Sequence, residues 1–168
     1  ATPASSDDVR RTEEVRTWLR AAGAPLWAAP LEGQLPGLED VVVAGLALAH
    51  RDAAVAVVLP ILLWRRRDHL DVDRLAGLAT RCGEREALGY FLELTGQLGP
   101  DRRLVVAARA LRDRRRTRAR LFFTTPHGRH GLALARRNTP RLARKWGYLM
   151  NMGLDTFADS FAKHTRPA

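Results

Sequence analysis

Apolar residues in this chain recur every three or four positions, in short segments that mostly open on a capping residue and close on Gly or Pro. That spacing follows the helical repeat of about 3.6 residues rather than the two-residue alternation of a strand. It restricts the chain to an all-α class, a compact multi-helix bundle of about seven or eight helices.

Ser5 and Asp8 form a capping pattern ahead of Val15, Trp18, Leu19 and Ala22, and Gly23 closes this first helix. Residues 24–37 hold Pro25, Pro30, Pro36, Gly33 and Gly37 and read as a loop, with Trp27 and Leu31 pinning it to the core. Helices are expected over residues 38–49 and 52–67, both apolar on most faces and therefore central. Pro60 should kink or break the second of these, because it cannot donate to the preceding turn. A strand at 41–43 or 55–59 ranks below helix, since the flanks are alanine-rich.

Asp71 reads as the N-cap of a helix presenting Leu75, Leu78, Ala79 and Cys82 on one face, closed by Gly83. Residues 84–97 follow with Leu88, Phe91 and Leu92 inward, and Gly89 in their midst implies close approach of a neighbouring helix. Asp101 caps a long helix reaching toward Phe123, with Leu104, Ala107, Ala108 and Leu111 packing. After a loop at 124–130 and a short helix at 131–137, Thr139 and Pro140 start another helix through Met150. A last amphipathic helix begins near Asp155 and places Leu154, Phe157, Ala158 and Phe161 together. No internal repeat or low-complexity segment is present.

At 168 residues with 46% hydrophobic and 27% charged side chains, one folded domain spanning 1–168 is expected. Arginine dominates the cations, with Lys145 and Lys163 the only lysines, as a GC-rich bacterial genome would produce. Charge balance says more than arginine content. Residues 1–100 carry 11 basic and 14 acidic side chains, a mildly acidic, core-forming part, whereas residues 101–168 carry 17 basic and 4 acidic. So uneven a distribution is the footprint of a surface for nucleic acid, DNA or RNA, or for an acidic protein partner.

The arginine-rich segment 112–120, RDRRRTRAR, is the sharpest feature, suited as a helix to phosphate contacts over a wide arc. Arg109, Arg112, Arg114, Arg115, Arg116, Arg118 and Arg120 belong to this surface. Arg129, Arg136, Arg137, Arg141, Arg144 and Lys145 extend it, beside Trp146, expected mostly buried, and Tyr148. The same forks could instead pair with carboxylates of a protein partner.

Catalytic signatures are wanting. The chain holds no nucleophile elbow, P-loop or dinucleotide fingerprint. Asp71 and Asp73, near Asp68, read as capping rather than as a magnesium pair, and His127 and His130 as a loop rather than half a zinc site. No catalytic residue, cofactor or metal is assigned. Cys82 is the sole cysteine and is expected to be an inert thiol in a reducing cytoplasm. The most apolar stretch, residues 53–64, is too short for a membrane span, and the first residues lack the pattern of a secretory signal.

Residues 59–98, above all HLDVDRLAGLA at 69–79 and ALGYFLEL at 87–94, resemble helical segments of AbiE-type abortive-infection toxin-antitoxin proteins over about a quarter of the chain. The resemblance implies a non-catalytic, antitoxin-like component that engages a nucleotidyltransferase-fold toxin, and operator DNA. The winged helix of such antitoxins and the nucleotidyltransferase signature of the toxins are both absent from the sequence. Two other readings remain open: a nucleic-acid-processing enzyme using His127, His130 and Asp155, and a subunit that self-associates through Leu154, Phe157 and Phe161.

Overall fold

The computed structural model describes residues 5–113, 115, 118–124 and 129–166. Among these, nine helices follow one another with a single two-stranded parallel pairing. They are α1 (Ser6–Ala22), α2 (Leu38–Ala49), α3 (Ala53–Arg66), α4 (Val72–Arg81), α5 (Arg85–Leu98) and α6 (Arg102–Leu111). After these come β1 (Arg120–Leu121), α7 (Arg129–Asn138), α8 (Arg141–Lys145), β2 (Tyr148–Leu149) and α9 (Leu154–Thr165). The all-α architecture is the one the apolar spacing implies.

Three of the five helices in the first hundred residues, α1, α3 and α4, start on a capping side chain, as does α6. The Ser5 hydroxyl accepts from the Asp8 amide at 3.2 Å, and Gly23, at φ 119°, closes α1 in the left-handed conformation. Asp52, Asp71 and Asp101 each accept from the backbone at the start of α3, α4 and α6. Helices α2, α3 and α5 form the centre, where Leu46, Leu59, Leu62 and Phe91 are fully buried. Residues 41–43 and 55–59 are helical, as their flanks favour. Pro60 does not break α3, which runs unbroken from Ala53 to Arg66. Close packing on every side of this buried helix outweighs one lost backbone bond.

Several expectations are corrected. Trp27 does not pin its loop to the core, because it is 84% exposed. Arginines of α1 hold that loop instead, with Arg20 donating to the Ala28 carbonyl and Arg16 to the Trp27 carbonyl. Cys82 lies past the apolar face of α4 and is exposed. Gly89 does mark a close approach, made by the indole of Trp146, the residue that ends α8.

The largest correction concerns the basic part. The sixth helix ends at Leu111, far short of Phe123. Beyond Leu111 no large apolar side chain occurs before Leu121, so a continued helix would bury nothing while stacking Arg112 on Arg116 and Arg116 on Arg120. An arginine of α5 makes the stop possible: Arg85 donates through Nε to the Leu111 carbonyl at 3.0 Å and through Nη2 to the Ala110 carbonyl at 3.3 Å. Carbonyls left without a helical partner are thereby satisfied.

Nor does a helix run from Pro140 to Met150. The five-residue α8 stops at Lys145, Gly147 turns the chain at φ 81°, and β2 pairs with β1 through Arg120–Tyr148 and Leu121–Leu149. Tyr148 and Met150 are both buried while Leu149 between them is partly open, the two-residue alternation of a strand. Thr139 does not cap α8. Its hydroxyl donates to the Ala135 carbonyl at the end of α7 and accepts from the Met150 amide at 2.9 Å. Helix α7 starts at Arg129, two residues earlier than the sequence suggests.

The face of α9 is already occupied. Phe157 is 1% and Phe161 6% exposed, and Phe161 meets Trp64 of α3 edge to face at 5.7 Å. Of the three residues offered for self-association, only Leu154 remains open.

Candidate anion-binding cleft

Tyr90, Glu93, Leu94 and Gln97 stand at i, i+3, i+4 and i+7 on α5 and so share one face. Opposite that face lie Pro140 and the short α8. A cleft of about 850 Å³ separates the two walls, with Arg112, Arg141, Arg144, Lys145 and Leu154 contributing to its lining. Four of the thirteen cationic residues singled out in the sequence are therefore brought to one cavity.

The floor is built around a buried carboxylate. Glu93 is 5% exposed, and its two oxygens are held separately: Lys145 Nζ reaches Oε1 at 2.5 Å, and the Trp146 indole Nε1 donates to Oε2 at 2.8 Å. A buried carboxylate is tolerable only when so partnered. Trp146 is itself buried, as expected, because Gly89 leaves room for its ring. The order of construction is therefore Gly89, Trp146, Glu93, Lys145.

The rim is different in character. Arg112, Arg141 and Arg144 are exposed, and no described carboxylate pairs with any of them. Arg144 donates instead to the Arg136 carbonyl, which fixes its guanidinium against the end of α7. Lys145 is neutralised by Glu93, so the three arginines of the lining are the ones without a described counter-charge. Tyr90 on the inner wall donates to the Met150 sulfur at 3.6 Å, and burial pushes its phenol above the usual tyrosine range.

The remaining predicted cations are dispersed. Arg109, Arg115, Arg118, Arg129, Arg136 and Arg137 are exposed and do not line the cleft. Arg114 and Arg116 lie outside the described residues, as does His127. Arg120 is engaged within the fold, donating to the Tyr148 hydroxyl at 3.2 Å and lying 3.6 Å from Glu86. Its guanidinium also lies 5.3 Å from the centre of the Tyr148 ring.

Next to Arg120 sits a cluster that sequence reasoning missed. His50 Nδ1 lies 2.8 Å from the Phe122 carbonyl and Nε2 2.8 Å from Glu84 Oε2. The His50 carbonyl in turn accepts from the Thr124 amide at 2.7 Å. This residue at the end of α2 thereby anchors the chain that leads out of the arginine run. A lone histidine after an alanine gives no signal of such a role. For Glu93 the signal is present: one acid within the apolar run FLEL needs a buried partner.

Asp71 is used as a helix cap, accepting from the Arg74 amide at 3.0 Å. Among the described residues no three His, Cys, Asp or Glu side chains gather where a metal could be held, and no helix is long and apolar enough to cross a membrane. No protein-family model matches the chain, and neither curated proteins nor solved structures give a match to it.

Proposed function

We propose that this protein is a non-catalytic helical accessory or regulatory protein that binds nucleic acid through the arginine-lined cleft and the exposed Arg115, Arg118, Arg129, Arg136 and Arg137. One observation carries the reading: Arg112, from the end of α6, and Arg141 and Arg144, neighbours on α8, line one cleft without a described carboxylate partner. Cations placed together and left unpaired raise the local potential and draw a polyanion. A sole cysteine fits a cytoplasmic setting.

The AbiE-type resemblance supports an antitoxin-like role beside a nucleotidyltransferase-fold toxin, although the leucines carrying it are largely core residues of α3, α4 and α5. Leu154, 48% exposed at the cleft, favours a second reading, in which an acidic protein covers the same cleft.

The deciding experiment is binding of purified, nuclease-treated protein to labelled RNA and DNA across a salt series. The expected result is an affinity that falls linearly with log salt, with a slope reduced by roughly 0.7 to 0.9 for each phosphate that Arg112→Ala or Arg141→Ala no longer reaches. Absence of binding at low salt would overturn the nucleic-acid reading and direct the search to co-purifying acidic proteins.

A further inference from the structure

Residues 114–154 contain no aspartate or glutamate, and α7 stands in the middle of them. Of its residues only Ala135 is buried, with Leu132 and Leu134 half-buried on either side of it. Its C-terminal end is fixed to the fold: Arg144 donates to the Arg136 carbonyl, the Thr139 hydroxyl to the Ala135 carbonyl, and the Asn138 amide to Asn151 at 3.0 Å. Arg129, Ala133, Arg136 and Arg137 stand at i, i+4, i+7 and i+8, with His130 at the edge of the same face. That face lies roughly opposite Ala135, and all five of its residues are exposed. No described carboxylate pairs with any of its cations.

We infer that α7 is the element that enters the major groove of B-form duplex DNA, turning the face of Arg129, His130, Ala133, Arg136 and Arg137 to the groove and its phosphate walls. Three observations select this occupant. The face is flanked by cations and its central residue is alanine, so nothing bulky or acidic holds the helix away from a polyanion. A helix with its side chains is about 10–12 Å across and fits a major groove about 12 Å wide, whereas the deep, narrow major groove of A-form RNA excludes it. Unpaired strands bind by stacking on aromatic rings, and α7 carries none, while Trp146 and Tyr148 that follow it are buried. This inference rests on the nucleic-acid reading and names the form of nucleic acid that α7 takes.

The test uses the full chain, freed of carried-over nucleic acid, with one sequence supplied as duplex DNA, duplex RNA and single-stranded DNA. In Ala133→Glu the new carboxylate stands at helical spacing from Arg129, Arg136 and Arg137, so it supports the helix while it neutralises the face. Circular dichroism and a thermal melt verify that the fold is kept. The wild type should bind duplex DNA roughly tenfold more tightly than the other two at equal salt, and Ala133→Glu should remove that preference. Methylation of guanine N7, which faces the major groove, should weaken binding, and the minor-groove ligand netropsin should not compete. Equal binding of all three nucleic acids, weakened by Arg141→Ala and unchanged in Ala133→Glu, would overturn the α7 assignment and leave the nucleic-acid reading intact. Displacement by netropsin, with no effect of N7 methylation, would overturn it in the same way. Binding of none of the three would overturn both.

Discussion

A methyl group at Gly89 would lie 2.2 Å from the six-membered ring of Trp146, so the flat face of the indole occupies the volume that any side chain at position 89 would need. Because that indole also holds Glu93, and Glu93 holds Lys145, a glycine in mid-helix sets the floor of the cleft. Gly89→Ala should therefore lower stability by about 1–3 kcal/mol through overpacking, and weaken anion binding as well. Gly77→Ala is the control. Its new methyl would meet nothing nearer than the flexible end of Arg81 at 3.5 Å, so chemical denaturation should show it neutral or slightly stabilising.

Glu93→Gln should separate stability from binding. The amide oxygen still accepts from Trp146, but Lys145 loses its charged partner and the cleft gains one uncompensated cation. A loss of about 1–2 kcal/mol in unfolding free energy is expected, together with tighter phosphate binding and a steeper salt slope. Weaker binding in a folded Glu93→Gln protein would show that Glu93 contacts the ligand directly.

Stability should depend on pH through His50. Burial, the largest influence on this ring, favours its neutral form. The hydrogen bond and charge of Glu84 and the Phe122 carbonyl nevertheless prevail and hold its pKa above 6.5. Arg120 opposes them weakly. Both ring nitrogens face acceptors, so only the protonated ring can donate to both. The stabilisation is complete below about pH 6.5, the unfolded value, and is lost as pH rises through the higher folded value. Thermal melts across this range should show the wild type losing ground to His50→Gln as pH increases, and parallel curves would refute the coupling.

Arg85→Ala should fray the last turn of α6. Two charge-assisted bonds to the Ala110 and Leu111 carbonyls disappear, and, since the side chain is only partly buried, a cost of about 1 kcal/mol is expected. Hydrogen exchange should quicken at the end of α6 and remain slow in α2. Arg85→Lys should not restore protection, because a single ammonium cannot reproduce the planar two-point contact.

The caps at Ser5, Asp71 and Asp101 and the apolar stripes of residues 5–111 were legible because they are local, each cap acting on an amide two or three residues away; Asp52, expected inside its helix, caps α3 in the same way. Trp27 misled because hydrophobicity says that a ring benefits from burial, whereas only the path of the loop decides whether a surface is there to receive it. The cations of the cleft were visible as members of one basic surface, but nothing in the sequence separated the four that line the cleft from the rest. Arg112, Arg141 and Arg144 meet across segments whose relative placement depends on where α6 stops, and that stop depends on Arg85, a residue 26 positions earlier.

By itself, then, the sequence determined the helical class, the starts of most helices and the concentration of positive charge after residue 100, all consequences of short-range backbone chemistry and composition. Tertiary structure alone decided that Arg85 receives the last carbonyls of α6 at Ala110 and Leu111, that residues 148–149 form a strand against 120–121, and that a glycine, an indole and a buried glutamate build the cleft floor. Those outcomes rest on burial and partnering between distant residues, which no local pattern encodes.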